Sequence, residues 1–231
     1  MRKVTAGETK RRSAPDLRQI PLFAGLTAAE SESLARLLRR RHFERGSVVF
    51  RQGDAGTCCY LIATGVIKIA RQHTDGREII LALLTEGDVF GELALLDGET
   101  RSADAIVQEA SELLLLDREP FLAFLDTHAK VAARLLATLS RRLRHTDDLV
   151  QDAAFLEVRA RLARLILSLS EQQSGARVQP VRLTQGDLAS LIGATRESVN
   201  RWLKVFVRKG AVRMDKTGLH VVDKEALRAE L

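Results

Sequence analysis

Cysteine is almost missing from this chain. Its 231 residues hold two, Cys58 and Cys59, and they are adjacent. Neighbouring cysteines form neither a disulfide framework nor a tetrahedral metal pattern. An iron–sulfur sensor does not fit either, because a cluster takes about four cysteine ligands. On a strand the two side chains would point to opposite faces, so at least one belongs to a core. Long apolar runs are also missing, and none approaches the ~18 residues of a membrane span. The opening MRKVTAGETKRRSAP lacks the apolar stretch of a secretory signal. A cytoplasmic protein without a membrane partner is expected. No nucleophile stands with a base, so no enzymatic activity is expected. His73 sits in a turn signal, where a solvated imidazole is the simpler reading than a haem ligand.

What is present is an uneven distribution of charge. Residues 1–12 carry +4, residues 13–155 carry −4 and residues 156–231 carry +6, which gives the net +6 of the chain. A mildly acidic large part followed by a small basic part suggests a regulatory domain joined to a polyanion-binding domain. Residues 1–15 read as a flexible basic tail, suited to salt-sensitive, non-specific DNA contacts.

From Leu26, LTAAESESLARLLRRR is amphipathic and Thr27 can cap it, which predicts a short helix. Between His42 and Leu116 glycines punctuate short β-rich runs (SVVF, CCYLIA, VIKIA, EIILALL, SELLLL). Turn signals about every ten residues predict a small β-sandwich or barrel. HTDGRE, residues 73–78, predicts a hairpin, with Asp-Gly suited to a type I′ turn. The segment 118–154 is predicted helical, with Pro120 in a first turn. No glycine or proline occurs from Ala129 until Gly175. Apolar residues recur at Ala132, Leu135, Leu139, Leu143, Val150 and Ala153, a seam interrupted by Thr146. Such spacing predicts a helix that pairs with its copy in a homodimer.

The C-terminal part opens with an amphipathic helix, ARLARLILSLSEQ, then a loop, QSGARVQP. In TQGDLASLIGATRESVNRWLKVF, Thr184 can cap a helix carrying Leu188, Ala189 and Leu191. Gly193 supplies a turn, and Thr195 can cap a second helix with Val199, Trp202 and Leu203 inward. Two short helices joined this way match the helix-turn-helix. The second helix then presents Arg196, Glu197, Asn200, Arg201 and Lys204 outward. Arginine can bond guanine bidentately and glutamate can accept from cytosine. Thr184, Gln185, Thr195 and Ser198 lie where phosphate contacts would set register. VRMDKTGLHVV closes the chain as a hairpin.

ATRESVNRWLKVF, together with FGELALLDGETRSAD and the RRLRHTDD helix, resembles the CRP/FNR family of bacterial transcription regulators. The likeness runs from about residue 17 to 222. It implies an α+β chain: an N-terminal jelly-roll-like β-roll that binds a cyclic nucleotide (16–127), a long dimerisation helix (128–154) and a C-terminal winged helix-turn-helix (155–231). It implies a palindromic double-stranded DNA site with TGTGA-like half-sites read by Arg196, Glu197 and Arg201. RNA polymerase is a possible partner. The GEL…RS stretch resembles the family's phosphate-binding cassette. Gly91 lets the backbone approach a ligand, and a helical turn over Glu92, Leu93, Ala94 and Leu95 offers N–H groups to an anion. Arg101 brings a permanent charge and Ser102 a hydroxyl. Glu92 suits a ribose hydroxyl rather than a phosphate. By resemblance the Thr146 hydroxyl meets the base of cyclic AMP. At Asp147 better-known relatives carry a small polar residue. An ionised Asp only accepts, so it can take the adenine amino group or the guanine edge. Cyclic AMP and cyclic GMP therefore both stand as effectors. A ligand-independent DNA-binding regulator with a vestigial sensor is the remaining alternative. A hinge is expected near Ala154–Val158.

Overall fold

The computed structural model describes residues 17–172, 183–215 and 218–231. The predicted basic tail at 1–15 and the predicted loop QSGARVQP lie outside the described residues. After a short 3-10 turn at Leu17–Gln19, helix α1 spans Ala28–Leu37. Thr27 caps it in a full capping box, accepting from the Glu30 N–H while the Glu30 carboxylate accepts from the Thr27 N–H. The helix stops before RRR. Arg39–Phe43 instead forms strand β1, whose partner strand supplies acids for its bases: Arg40 and His42 both reach Glu112.

Strands β2 (Val48–Phe50), β3 (Cys58–Gln72), β4 (Glu78–Leu84), β5 (Val89–Phe90) and β6 (Asp104–Asp117) complete one antiparallel sheet. Its path is β1-β6-β3-β4, with β2 added on β6 and β5 on β3. The long β3–β6 ribbon runs from the Cys58–Asp117 pair to the Ala70–Asp104 pair, with register shifts between Ile62 and Ile67. Gly65 lies in this shifted stretch at φ 97°. A Cβ there would meet the Ser111 Oγ at 2.2 Å and the Ala110 carbonyl at 2.6 Å. The bend therefore needs a residue without a side chain.

The sheet is buried on both faces. Cys59, Leu61, Leu114 and Leu116 pack under the helices, whereas Cys58, Tyr60, Ile62, Leu113 and Leu115 pack inside the roll. Both cysteines are thus core residues, one for each face. The hairpin β3–β4 forms as predicted, but its turn differs. His73 N–H bonds the Arg77 carbonyl across a five-residue connection, and only Gly76 in it has positive φ. A type I′ turn requires positive φ at both central residues, which Asp75 does not adopt.

Helices α2 (Leu93–Leu96), α3 (Arg118–Thr127) and α4 (Ala129–Phe155) follow. Pro120 falls in the first turn of α3. The 27 residues of α4 make a rod of ~40 Å. Val131 and Leu135 are buried against the sheet's helical layer, so Leu135 is not part of the outward seam. Leu136 takes its place. Leu136, Leu143 and Val150, spaced by seven, are each more than 60 % exposed. α4 ends at Phe155 with Leu156 as an extended C-cap, and α5 (Val158–Gln172) begins two residues later.

The remaining elements form a second core. These are α5, α6 (Gln185–Leu191), α7 (Arg196–Arg208), the two-stranded sheet β7 (Val212–Asp215) with β8 (Gly218–Val221), and α8 (Lys224–Arg228). Leu162, Ile166, Leu188, Val199, Leu203, Phe206 and Leu227 fill it. α6 also rests against β4, and Gln108 of β6 donates to the Asp187 carboxylate at 3.3 Å. Gly65→Ala should destabilise the β-domain by about 2 kcal/mol or more, since a forced left-handed alanine and a backbone collision combine. Urea unfolding of the purified chain measures this, and an unchanged midpoint would contradict the account of the bend.

Candidate functional site

Two groups of predicted residues carry the functional reading, and each is assembled by a local backbone device. The first starts where β5 ends. Gly91 has φ 76°, and a Cβ on it would stand 2.7 Å from an Arg101 nitrogen. The backbone can turn here only because the side chain is missing. Arg101 is 3 % exposed. Its Nη1 donates to the Gly91 carbonyl and its Nη2 to the Cys58 carbonyl, both at 2.6 Å. Its guanidinium carbon lies 4.3 Å from the Phe50 ring centroid and 5.7 Å from that of Tyr60. A cation buried against aromatic faces and carbonyls is held in place without an acid. Its Nε has no partner among the described residues.

Glu92 is 2 % exposed and does not pair with Arg101. Its Oε1 accepts from Nη1 of Arg142 at 2.7 Å, and Nη2 of Arg142 donates to the Val89 carbonyl at 2.5 Å. Its Oε2 has no partner among the described residues. Burial pushes the Glu92 carboxyl above the usual carboxylate range, and the charge of Arg142 opposes this. Arg142 went unread in the sequence, although it lies in the quoted RRLRHTDD. The signal available was position: it precedes Thr146 by four residues, one helical turn.

Thr146 and Asp147 are exposed on α4. The Thr146 hydroxyl donates to the Arg142 carbonyl at 3.0 Å. The structure thus brings Gly91, Glu92 and Arg101 together and joins them to α4 through Arg142, with Thr146 one turn further. Leu93 is exposed, and Ala94 is buried against Gly56, where an added Cβ would come within 2.4 Å. Ser102 is exposed beside Arg101. Among the chemical possibilities, an anion here competes with two carbonyls for the Arg101 fork. An ionised phosphodiester makes the stronger, charge-assisted bonds. The free Oε2 of Glu92 can accept from a hydroxyl.

The second group lies on α6 and α7. Thr184 caps α6 in a capping box with Asp187, and Thr195 caps α7 by accepting from the Ser198 N–H at 3.2 Å. Gly193, at φ 61°, turns the chain between them. Val199, Leu203 and Phe206 face the core, and Trp202 is half-buried. Arg196, Glu197, Arg201 and Lys204 are exposed, with Asn200 and Ser198 intermediate. A groove of about 770 Å³ runs along α7. Gln185, Glu197, Asn200, Arg201 and Lys204 line it together with Val207, Arg208 and Met214. The last three extend the face by a further turn and by the wing strand; Arg208 was readable as the next residue at helical spacing from Lys204. Thr184, Thr195 and Arg196 sit outside the groove at the helix starts.

The raised affinity of Glu92 for its proton has a measurable sign. The folded chain holds that proton to higher pH than the unfolded chain does. The resulting stability is complete below the ordinary carboxyl range and is lost as pH climbs through the raised value. Glu92→Gln removes this titration. As pH rises above the ordinary carboxyl range, the variant's melting temperature should therefore gain on the wild type. A difference independent of pH would refute a buried, weakened acid.

Two family models match the chain: a cyclic nucleotide-binding domain over residues 40–128 and a Crp-like helix-turn-helix domain over residues 160–230. The cyclic AMP receptor protein of Thermus thermophilus is 40 % identical over 194 residues, covering 84 % of this chain and 88 % of that protein. A CRP-like cAMP-activated global transcriptional regulator of Mycobacterium tuberculosis is 32 % identical over 210 residues, covering 89 % and 94 %. Among solved structures, the c-di-GMP responsive global regulator CLP of Xanthomonas campestris superposes with a TM-score of 0.73 at 26 % identity, over 84 % of this chain and 99 % of that one. Regulators of transcription stand among these relatives, and in this chain the nucleotide-binding domain precedes the helix-turn-helix. It belongs to the CRP/FNR family of DNA-binding transcription regulators.

Proposed function

We propose that this regulator works as a homodimer whose operator binding is set by cyclic AMP held between the β-roll and α4. The carrying observation is the buried Glu92 carboxylate, bonded through one oxygen to Arg142 of α4, its other oxygen without a partner among the described residues. A ligand whose ribose hydroxyl bonds Glu92 and whose phosphate takes Arg101 would act directly on the cassette's link to the long helix. Gly91, Leu93, Ala94 and Ser102 complete the cradle, and Thr146 and Asp147 receive the base. The names of the relatives at 40 % and 32 % identity support cyclic AMP as the effector.

The module boundaries follow from this reading: a sensor over 16–127, a dimerisation helix over 128–154 and a DNA reader over 155–231. The exposed stripe Leu136, Leu143 and Val150 is apolar enough to seat a second copy. Ligand energy enters as its preference for one arrangement of paired α4 helices, typically 1–3 kcal/mol. It leaves across the break at Leu156–Glu157, placing two α7 helices about one DNA turn, ~34 Å, apart. The target is then a palindrome of TGTGA-like half-sites read by Arg196, Glu197 and Arg201. Asn200 and Lys204 assist, and Thr184, Gln185, Thr195 and Ser198 hold phosphates. RNA polymerase is the partner such a bound dimer would address. Asp147 favours a second reading. An exposed acceptor-only side chain beside Thr146 suits the N–H edge of guanine, and cyclic GMP is the rival effector.

Arg101→Leu should lower cyclic AMP affinity roughly tenfold or more and abolish its effect on operator binding. Calorimetry with cyclic AMP and cyclic GMP, beside operator titrations, tests this. An unchanged response in the variant would remove Arg101 from the site, and no response in the wild type would leave a ligand-independent regulator. Arg196→Ala should cost about 1–3 kcal/mol and relax the preference at one base pair, read by selection from a randomised duplex pool. A uniform loss on all sequences would contradict base reading.

A further inference from the structure

Glu230 is an acid buried inside the basic DNA-reading module, with a side chain only 3 % exposed. Each of its oxygens has one cation. Arg159 Nη1 donates to Oε2 at 3.0 Å, and the Lys209 ammonium pairs with Oε1. These partners come from distant parts of the module. Arg159 lies in the first turn of α5, just past the break that follows α4, and Lys209 is the C-cap residue of α7. One carboxylate therefore ties the start of α5 to the end of the recognition helix. A second tie holds the other end, where Arg161 Nη1 donates to the Ile192 carbonyl at 2.8 Å, in the turn before α7. Arg159 also places its guanidinium carbon 5.9 Å from the Trp202 ring centroid, and Arg201 does so at 5.9 Å. Trp202 is the single tryptophan of the chain.

We propose that Glu230 is a positioning residue for DNA reading: it holds Arg159 over Trp202 and Lys209 at the helix end, and so fixes the rotation of α7 that aims its base-reading side chains. The proposal rests on the reading of Arg196, Glu197 and Arg201 as base contacts. Hydrogen bonds to base edges weaken steeply when their angles are wrong, so a helix free to roll loses specificity before it loses charge. Arg159 and Lys209 are 38 % and 53 % exposed, so water can solvate both when the acid is neutralised. The module then keeps its core and loses its alignment.

The sign of the effect separates positioning from plain electrostatics. Glu230→Gln removes a negative charge from a DNA-binding module, and charge alone would tighten binding to every duplex. Positioning demands the reverse for the chosen sequence. The full-length variant is titrated with a duplex selected by the wild type from a randomised pool, and with a scrambled duplex. Affinity for the selected duplex should fall about tenfold, while affinity for the scrambled one holds or rises slightly. Trp202 emission should shift as Arg159 leaves the ring. Arg159→Gln, which also removes a positive charge, should lower the ratio of selected to scrambled affinity and shift the emission in the same way, and the double variant should add little to either single one. Lys209→Gln, a change at a half-exposed site, serves as the second probe and should give a smaller loss of the same kind. Equal losses on both duplexes, tighter binding to the selected duplex, or an unmoved tryptophan spectrum would overturn the proposal. If the wild type selects no sequence at all, base reading itself falls. If it selects one and Glu230→Gln selects it equally well, only the positioning role falls.

Discussion

A carboxylate withdrawn from water must find a cation or give up its charge, and Glu92 stands between these outcomes. Losing one partner of such a buried pair costs about 3–5 kcal/mol, because the survivor remains uncompensated. The partner here is not the nearby Arg101 but Arg142, which comes from α4. The cassette loop and the long helix α4 are therefore joined by an interaction that neither can lose cheaply. The second oxygen of Glu92 has no partner among the described residues, so the pair is only half satisfied. In this way one half-satisfied group makes the sensor's interior and the position of the helix a single question.

The same logic recurs beyond the break in the chain. α5 carries arginines that reach in three directions. Arg164 pairs with Asp152 of α4, across Leu156–Glu157. Arg161 bonds the turn before α7, and Arg159 reaches Glu230 and Trp202. Guanidinium groups suit this task, since their planar donors fix direction as well as distance. α5 thus acts as a bracket: its apolar side builds the second core, and its arginines hold the long helix and the recognition helix.

Much of this was legible before any fold was known, and the legible parts share a property. Thr27, Thr184 and Thr195 cap helices because a hydroxyl three residues before an orphan N–H satisfies it wherever the helix goes. Gly193 marks a left-handed turn for an equally local reason. Less legible were features set by distance. RRR after α1 looked like helix continuing, yet it became β1 because acids on β6 lie opposite. Leu135 fitted the outward seam as well as Leu136 did. Only the sheet's helical layer, packed against Val131 and Leu135, decides which of the two faces out. The Asp75–Gly76 turn took a five-residue form set by the strands it joins.

The amino-acid order by itself determined the family, the order of its two matched domains and the face of α7 that carries charge. Each of these depends on residue types at short, fixed spacings. Tertiary structure alone decided the partners of the buried charges. Arg142 is 50 positions from Glu92, and Arg159 is 71 from Glu230. Nothing in local spacing pairs them, because a desolvated acid takes whichever cation the finished packing brings within reach.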